Sequence, residues 1–297
     1  MWAIFLLSSV SYLFYSLYEK TREYYTYPIV TYTSSQTLET LPFPAVTICN
    51  SNRKNYSKMH KDDRLNNFWM SVGRVPFLAK DINWSDPFYE ERGFFEPQSV
   101  ENITEETMDL KNFIILSSFD DKYRLKFDPL ITEEGFCYTF NNDGETTTSN
   151  FGALNNLLLM IDINQEHYGP GQDLTAGIKV VLHDADEIPD IYNEGFYVGP
   201  GVSALASVRV SKYTYLGNPF KAFGERKCHK VGVDKNPLHP LTYSVTACQK
   251  LCKAKETFKA CHCINVDDLG ILVVAFFFLL LPELNVHSCD LWCVCDR

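Results

Sequence analysis

The sequence predicts an α+β fold, with a β-sheet in the middle of the chain, helices before and after it, and an apolar segment at the N-terminus. Three observations indicate this class. Three β-branched or alternating runs lie between residues 157 and 215, separated by the turns Gly169-Pro-Gly171 and Gly199-Pro-Gly201. The first eighteen residues carry no charge, and eight of the ten cysteines lie beyond residue 227. We therefore expect a disulfide-rich domain behind an N-terminal membrane helix.

The apolar segment Met1–Tyr18 just reaches the length needed to cross a bilayer of roughly 30 Å. A cleaved signal peptide is the alternative, but the segment lacks a basic start and a small-x-small cleavage site. Its tyrosines suit the aromatic belt at a membrane surface. We predict a retained membrane helix over residues 1–18.

Further elements follow in order along the chain. Residues 26–47 read as extended chain and Ala45–Cys49 as a strand, because prolines 28, 42 and 44 oppose helix. Residues 50–98 have no sustained period and predict loop or short helices. The predicted elements beyond them are a helix over 100–118, a turn and loop over 141–149, strands over 157–163, 177–183 and 203–215, and a helix over 244–259.

The clustered cysteines favour disulfides over zinc. Cys248 and Cys252 are one helical turn apart, so both thiols lie on one face of the predicted helix. Zinc knuckles prefer paired cysteines within compact polar loops, and the spacings here do not fit that pattern. Three Asn-x-Ser/Thr acceptors, Asn55, Asn83 and Asn102, favour a secretory route, which is also where disulfides persist.

Composition excludes several functions. A net charge of −10 and a pI near 5.2, without a basic patch, predict no nucleic-acid partner. The motifs of hydrolases, metalloproteases and phosphate-binding loops are absent, so we predict neither an enzyme nor a cofactor. The apolar run Ile271–Leu281 is too short to span a bilayer as a helix and reads as a buried segment, although it stands among cysteine-rich loops.

Several motifs in sequence order resemble the degenerin/epithelial sodium channel superfamily, which includes acid-sensing ion channels. The stretch Phe43–Asn50, Phe-Pro-Ala-Val-Thr-Ile-Cys-Asn, resembles the signature that follows the first membrane span of that family. Gly135–Asn141, Leu159–Ile163 and Ala176–Val180 are similar to its successive strands, and Thr242–Ser244 with the cysteines after it to the start of its thumb.

The resemblance implies a hand-like extracellular domain on membrane helices, at the plasma membrane with most of the chain outside. It divides the chain into a first membrane helix (1–18), a wrist and first palm strand (19–50) and a finger-like region (51–136). A palm and knuckle region (137–227) and a partial thumb (228–297) with the apolar run 271–281 follow.

The resemblance also implies a set of disulfides. The implied pairs are Cys49 with Cys137, Cys248 with Cys295, Cys252 with Cys293, and Cys261 with Cys289. Cys228 and Cys263 are left unpaired, because the positions of their family partners fall beyond Cys295 and in the apolar run.

Two groups of residues are candidates for gating. His183, Asp184, Asp186 and Glu187 lie where acid-sensing relatives carry acidic residues that respond to protons, and clustered carboxylates raise one another's pKa. The alternative is a solvated turn before Pro189. Tyr27 and Phe220 resemble an aromatic pair at the wrist, and ordinary core packing is the alternative for them.

The resemblance therefore implies a subunit of a proton- or ligand-gated, amiloride-sensitive sodium channel. Its expected partners are related subunits in a homo- or hetero-trimer, sodium ions and the lipid bilayer. The second membrane span of the family has no counterpart, so we expect an incomplete subunit, the product of a truncated or mis-spliced gene. A membrane-anchored, non-conducting ectodomain that binds ligand or modulates complete subunits is the alternative.

Overall fold

The computed structural model describes eleven stretches of the chain. They are residues 1–26, 39–52, 55–58, 63–72, 82–83, 85–88, 113–132, 134–149, 156–169, 175–211 and 243–261. The chain divides into two compact units, one of residues 1–37, 208–235 and 287–297 and the other of residues 38–207 and 236–286. The described part of the second unit contains all the strands named below.

The first unit begins with helix α1 (Trp2–Tyr25), which extends seven residues beyond the predicted segment. Its last turn is closed by Thr26, whose hydroxyl donates to the carbonyl of Glu23 at 2.6 Å. The predicted membrane span over residues 1–18 is not supported: no described helix is both long and apolar enough to cross a membrane.

The second unit is built on a five-stranded antiparallel sheet in the order β10-β9-β2-β6-β5. Its strands are listed here in that order: Phe196–Val198, Ile178–His183, Ala45–Asn50, Gly135–Phe140 and Phe127–Thr132. Strand β2 is central and every residue in it is buried, as expected of the run Ala-Val-Thr-Ile-Cys. The predicted strand over residues 45–49 is confirmed.

A three-stranded sheet, β4-β3-β8, packs against the larger one. Its strands are Lys122–Tyr123, Ile114–Phe119 and Leu158–Ile161. Phe119 lies with its ring centroid 5.8 Å from that of Phe140, and 4.7 Å from that of Phe43. These rings join a core with Phe113, which is buried. A two-stranded pairing of β1 (Leu41–Pro42) with β7 (Thr147–Thr148) completes the strands described.

Helical elements lie between the strands and after the last described strand. Helix α2 is Asp63–Val72, with single 3-10 turns at Tyr56–Lys58 and Gln165–His167. Helix α3, Val245–Cys261, confirms the helix predicted over 244–259. Its residues Ala247, Cys248 and Leu251 are each 1% exposed, so one face of α3 is covered.

Two predicted elements are wrong where the structure describes them. Residues 114–118 lie in strand β3 and are not the end of a helix. Ile114 and Leu116 pair with Ile161 and Met160 of strand β8. Residues 203–211 form no strand and are exposed throughout. The turn at Gly201, where φ is +70°, ends the sheet after β10, and the segment that follows has no described strand beside it.

Candidate functional site: the acidic turn between β9 and β10

The acidic turn is the segment 184–194, which leaves strand β9 after His183 and returns to the sheet as β10. It contains five carboxylates and no basic residue: Asp184, Asp186, Glu187, Asp190 and Glu194. The pairing of Phe196 with Val180 sets its two ends beside each other. The predicted cluster of His183, Asp184, Asp186 and Glu187 therefore occupies a single turn at the edge of the sheet.

His183 is held by hydrogen bonds on both ring nitrogens. Nδ1 lies 2.8 Å from the backbone carbonyl of Asp184, and Nε2 lies 2.8 Å from Oγ1 of Thr47. Thr47 Oγ1 is in turn 2.8 Å from Oγ1 of Thr139, so three hydroxyl and imidazole groups bridge β9, β2 and β6. The carbonyl of Asp184 accepts only a proton-bearing Nδ1, which leaves Nε2 of a neutral ring to accept from Thr47.

Burial lowers the pKa of His183 below its ordinary value of 6.5, and the hydrogen bonds to the backbone of Asp184 and Glu187 offset this only in part. A protonated ring would also have to donate from Nε2 to Thr47. Thr47 would then donate to Thr139, whose own hydroxyl hydrogen would need another acceptor in a position that is 1% exposed. The surroundings of His183 therefore favour the neutral imidazole.

The pKa of Glu187 is shifted in the opposite direction to that of His183. Burial raises the pKa of its carboxyl above 4.5, and the negative charges of Asp184 and Glu194 raise it further. Its backbone N–H donates to the carbonyl of Asp184 at 3.0 Å, which tightens the turn around the two side chains. Glu187 therefore takes up a proton at a higher pH than an ordinary glutamate does.

Two lysines that the sequence analysis did not select hold the turn. Lys179 of β9 donates from Nζ to the carbonyl of Tyr192 at 3.1 Å, and its Nζ lies 3.9 Å from Oε1 of Glu134. The side chains of Lys179 and Glu134 are 7% and 4% exposed. On the other side, Nζ of Lys250 in α3 lies 3.6 Å from Oδ1 of Asp190. Only their spatial proximity, which spacing in the sequence does not encode, identifies these contacts.

The turn rests on a disulfide. Cys49 and Cys137 are bonded and stand opposite each other on β2 and β6, with their Cα atoms 4.4 Å apart. This is the pair that the resemblance implies. Ile191 of the turn, 1% exposed, packs in the same buried cluster as the two cysteines and Val181. The acidic turn is therefore seated on the covalently linked centre of the sheet.

The remaining candidate residues divide by what the structure describes. Cys252 takes part in a disulfide whose partner is not among the described side chains, and Cys248 is buried in the covered face of α3. Cys261 ends α3, where only the backbone is described. The pairings of these three cysteines stay predictions. Outside the described residues lie Tyr27, Asn102, Phe220, Cys228, Cys263, Cys289, Cys293 and Cys295.

Both described glycosylation acceptors form a turn that is closed by the third residue of the acceptor sequence. Oδ1 of Asn55 accepts from the backbone N–H and the hydroxyl of Ser57, at 3.0 and 2.5 Å. Oδ1 of Asn83 accepts from the N–H of Ser85 at 3.2 Å, and Asn83 is exposed. Among the described side chains no group of His, Cys, Asp and Glu has the arrangement of a metal site.

Comparison with known proteins shows the family of this chain. Residues 1–295 match the family described as amiloride-sensitive sodium channel. The chain belongs to that family, whose members are ion channels and not enzymes.

The curated relatives are acid-sensing ion channels. The chain is 30% identical to acid-sensing ion channel 1C of Danio rerio over 331 aligned residues, which cover 100% of this chain and 60% of the relative. It is 29% identical to acid-sensing ion channel 2 of Homo sapiens, with 91% of this chain and 56% of the relative covered. For acid-sensing ion channel 4 of Mus musculus the identity is 28%, with coverage of 91% and 50%. The chain thus spans half to three fifths of the length of these relatives.

Proposed function

We propose that this chain serves in a subunit of an amiloride-sensitive sodium channel at the plasma membrane, with residues 38–207 and 243–261 on the extracellular side. The observation that carries the proposal is the family match over residues 1–295. The disulfide Cys49–Cys137 supports the extracellular placement, because such bonds persist in oxidising compartments. The working assembly is a trimer with copies of itself or with related subunits, and sodium is the permeating ion.

The acidic turn is the proton-responsive element of this proposed subunit. The raised pKa of Glu187 supports this role, since its carboxyl is neutralised at a milder acidity than that of an ordinary glutamate. The turn also touches both the central sheet, through Lys179, and helix α3, through Lys250. A change in its charge therefore acts on two elements at once.

Current recording tests the proposal. The chain is co-expressed with a complete acid-sensing subunit in a cell that has no such current of its own, and amiloride-sensitive sodium current is measured at neutral and acidic pH. We expect the chain to reach the cell surface, to co-purify with its partner and to change the size or the pH dependence of the current. A change in the partner's current with no current from the chain alone supports a modulatory subunit. A chain that neither co-purifies nor alters the current contradicts the proposal.

The same assay tests the turn. Replacing Glu187 with Gln removes the titrating carboxyl, so we expect the acid-evoked part of the change to disappear, while a matched variant at the exposed Asp186, D186N, retains it. If E187Q changes the acid-evoked current as the unchanged chain does, the turn is not the proton-responsive element. That result does not contradict assembly into a channel.

A further inference from the structure

An ion pair joins helix α3 to the acidic turn. Ala247, Cys248 and Leu251 make up the covered face of α3, each 1% exposed. Lys250 stands beside that face and is 3.6 Å from Asp190, with side-chain exposures of 16% and 11%. A pair this shielded from water is weakened little by salt, and removal of Lys250 leaves the Asp190 carboxylate poorly solvated and without this cation.

Asp190 is prepared for this contact by the turn itself. Its Oδ2 accepts from Nδ2 of Asn193 at 2.8 Å, its Oδ1 faces both the N–H of Asn193 at 3.4 Å and Nζ of Lys250, and its backbone carbonyl accepts from the N–H of Glu194 at 3.0 Å. These bonds fix the carboxylate before the lysine reaches it, which reduces the side-chain entropy lost when the pair forms.

Lys179 and Ile191 attach the acidic turn to the sheet, independently of its contact with α3. Lys179 holds the carbonyl of Tyr192, lies 5.0 Å from the centroid of the Tyr197 ring and pairs with the buried Glu134. Ile191, between the two attachment points, is buried against the disulfide. The turn is thus anchored to the sheet through Lys179 and Ile191, and Asp190 contacts α3 through Lys250.

We infer that Asp190 and Lys250 form an electrostatic latch that holds helix α3 against the acidic turn. When either charge is removed, α3 is released locally, while the sheet and the part of the turn that Lys179 holds stay in place. Because the latch joins the helix that carries Cys248 and Cys252 to the turn that carries Glu187, it couples those two regions of the molecule. This inference concerns the contact alone and does not depend on the channel function proposed above.

Hydrogen exchange of backbone amides, measured by mass spectrometry on the full chain, tests the latch. The variants are D190N, which keeps an oxygen acceptor for Asn193, K250M, which keeps the apolar stem, and the double variant. K253M is the matched control, because Lys253 is an exposed lysine on the same helix. In each single variant we expect the α3 amides to exchange on the order of tenfold faster, with β2 and β9 unchanged.

The double variant distinguishes a specific pair from two independent effects. If the two side chains act only through each other, the α3 amides of D190N/K250M exchange about as fast as those of either single variant. If the two side chains act independently, the two fold-increases in exchange rate multiply. Three results overturn the latch. The α3 amides of K250M exchange as slowly as those of K253M, or the effects of the two substitutions on α3 exchange are independent in the double variant. The third result is that the amides of β2 and β9 exchange faster along with those of α3. The last would mean that the pair supports the whole unit and not the helix contact.

Discussion

The pKa values of two side chains near the start of the acidic turn, His183 and Glu187, are shifted in opposite directions. The pKa of His183 is lowered below 6.5, so the unfolded chain binds its proton more readily than the native state does. The stability that this histidine contributes is present above pH 6.5 and is lost as the pH falls below that value. The pKa of Glu187 is raised above 4.5, so its contribution is greatest below pH 4.5 and is lost as the pH rises through the native value.

The first prediction concerns Glu187. At pH 7.5 its carboxylate is ionised and partly buried near Asp184 and Glu194, which costs stability, so E187Q is expected to unfold at a higher urea concentration than the unchanged chain. At pH 4 the carboxyl is largely neutral and the difference should shrink. Urea unfolding at the two pH values measures this, with D186N in the same turn as the control. A constant difference between E187Q and the unchanged chain at both pH values would contradict the pKa argument.

The second prediction concerns Thr47, whose hydroxyl joins His183 to Thr139. T47V keeps the shape of the side chain but leaves two buried polar groups without this partner, which we expect to cost about 2–3 kcal/mol in the free energy of unfolding. The matched control is T147V at an exposed threonine of β7, where we expect a change within about 0.5 kcal/mol. Urea denaturation measures both. Equal midpoints for the two variants would show that the bridge across β9, β2 and β6 adds nothing.

At the scale of elements, the sequence predicts best those elements whose own residue pattern defines them. Strand β2 was predicted because a strand buried on both faces needs an unbroken apolar and β-branched run, which Ala45–Cys49 supplies. Helix α3 agrees with the helix predicted over residues 244–259, in which Cys248 and Cys252 are one turn apart. In each case the pattern within the segment is enough to define the element.

Other elements are decided by partners far along the chain. Residues 114–118 follow an acidic stretch that favours helix, yet Ile114 and Leu116 are drawn into β3 by pairing with β8, more than forty residues away. Conversely, the alternating residues 203–211 have the pattern of a strand but no strand beside them among the described residues. The resemblance to the channel family identifies the acidic cluster, whereas Lys179 and Lys250 escape prediction because only the tertiary fold brings them to it.

The third prediction concerns the link between strands β2 and β6. The disulfide Cys49–Cys137 closes a long loop, with a sequence separation of 88, so removing it should greatly increase the conformational freedom of the unfolded chain. We expect C49A/C137A to lose about 2–5 kcal/mol in the free energy of unfolding. Denaturant unfolding without reductant measures this, and adding reductant separates the effect of this bond from that of the bond at Cys252. An unchanged midpoint in C49A/C137A would show that the strand pairing alone holds this centre.

At the scale of the whole molecule, charge is distributed unevenly. The chain carries a net charge of −10, and five of its 37 acidic residues lie in the eleven-residue acidic turn, which has no basic residue of its own. One lysine from β9 and one from α3 contact this turn. Such a surface attracts cations and repels nucleic acid, in agreement with a family of cation channels.

The last prediction asks on which side of the membrane the second unit lies. Asn83 and Ser85, the first and third residues of the acceptor sequence Asn-Trp-Ser, are both exposed, and the side-chain oxygen of Asn83 accepts from the N–H of Ser85. In secretory cells we expect Asn83 to carry a glycan, which an endoglycosidase removes with a shift in mass. N83Q and S85A should both abolish that glycan, while S85T, which preserves the acceptor sequence, should retain it. A chain at the cell surface whose mass is the same in N83Q and S85T would contradict the predicted glycan at Asn83 and remove this support for the extracellular placement of the domain.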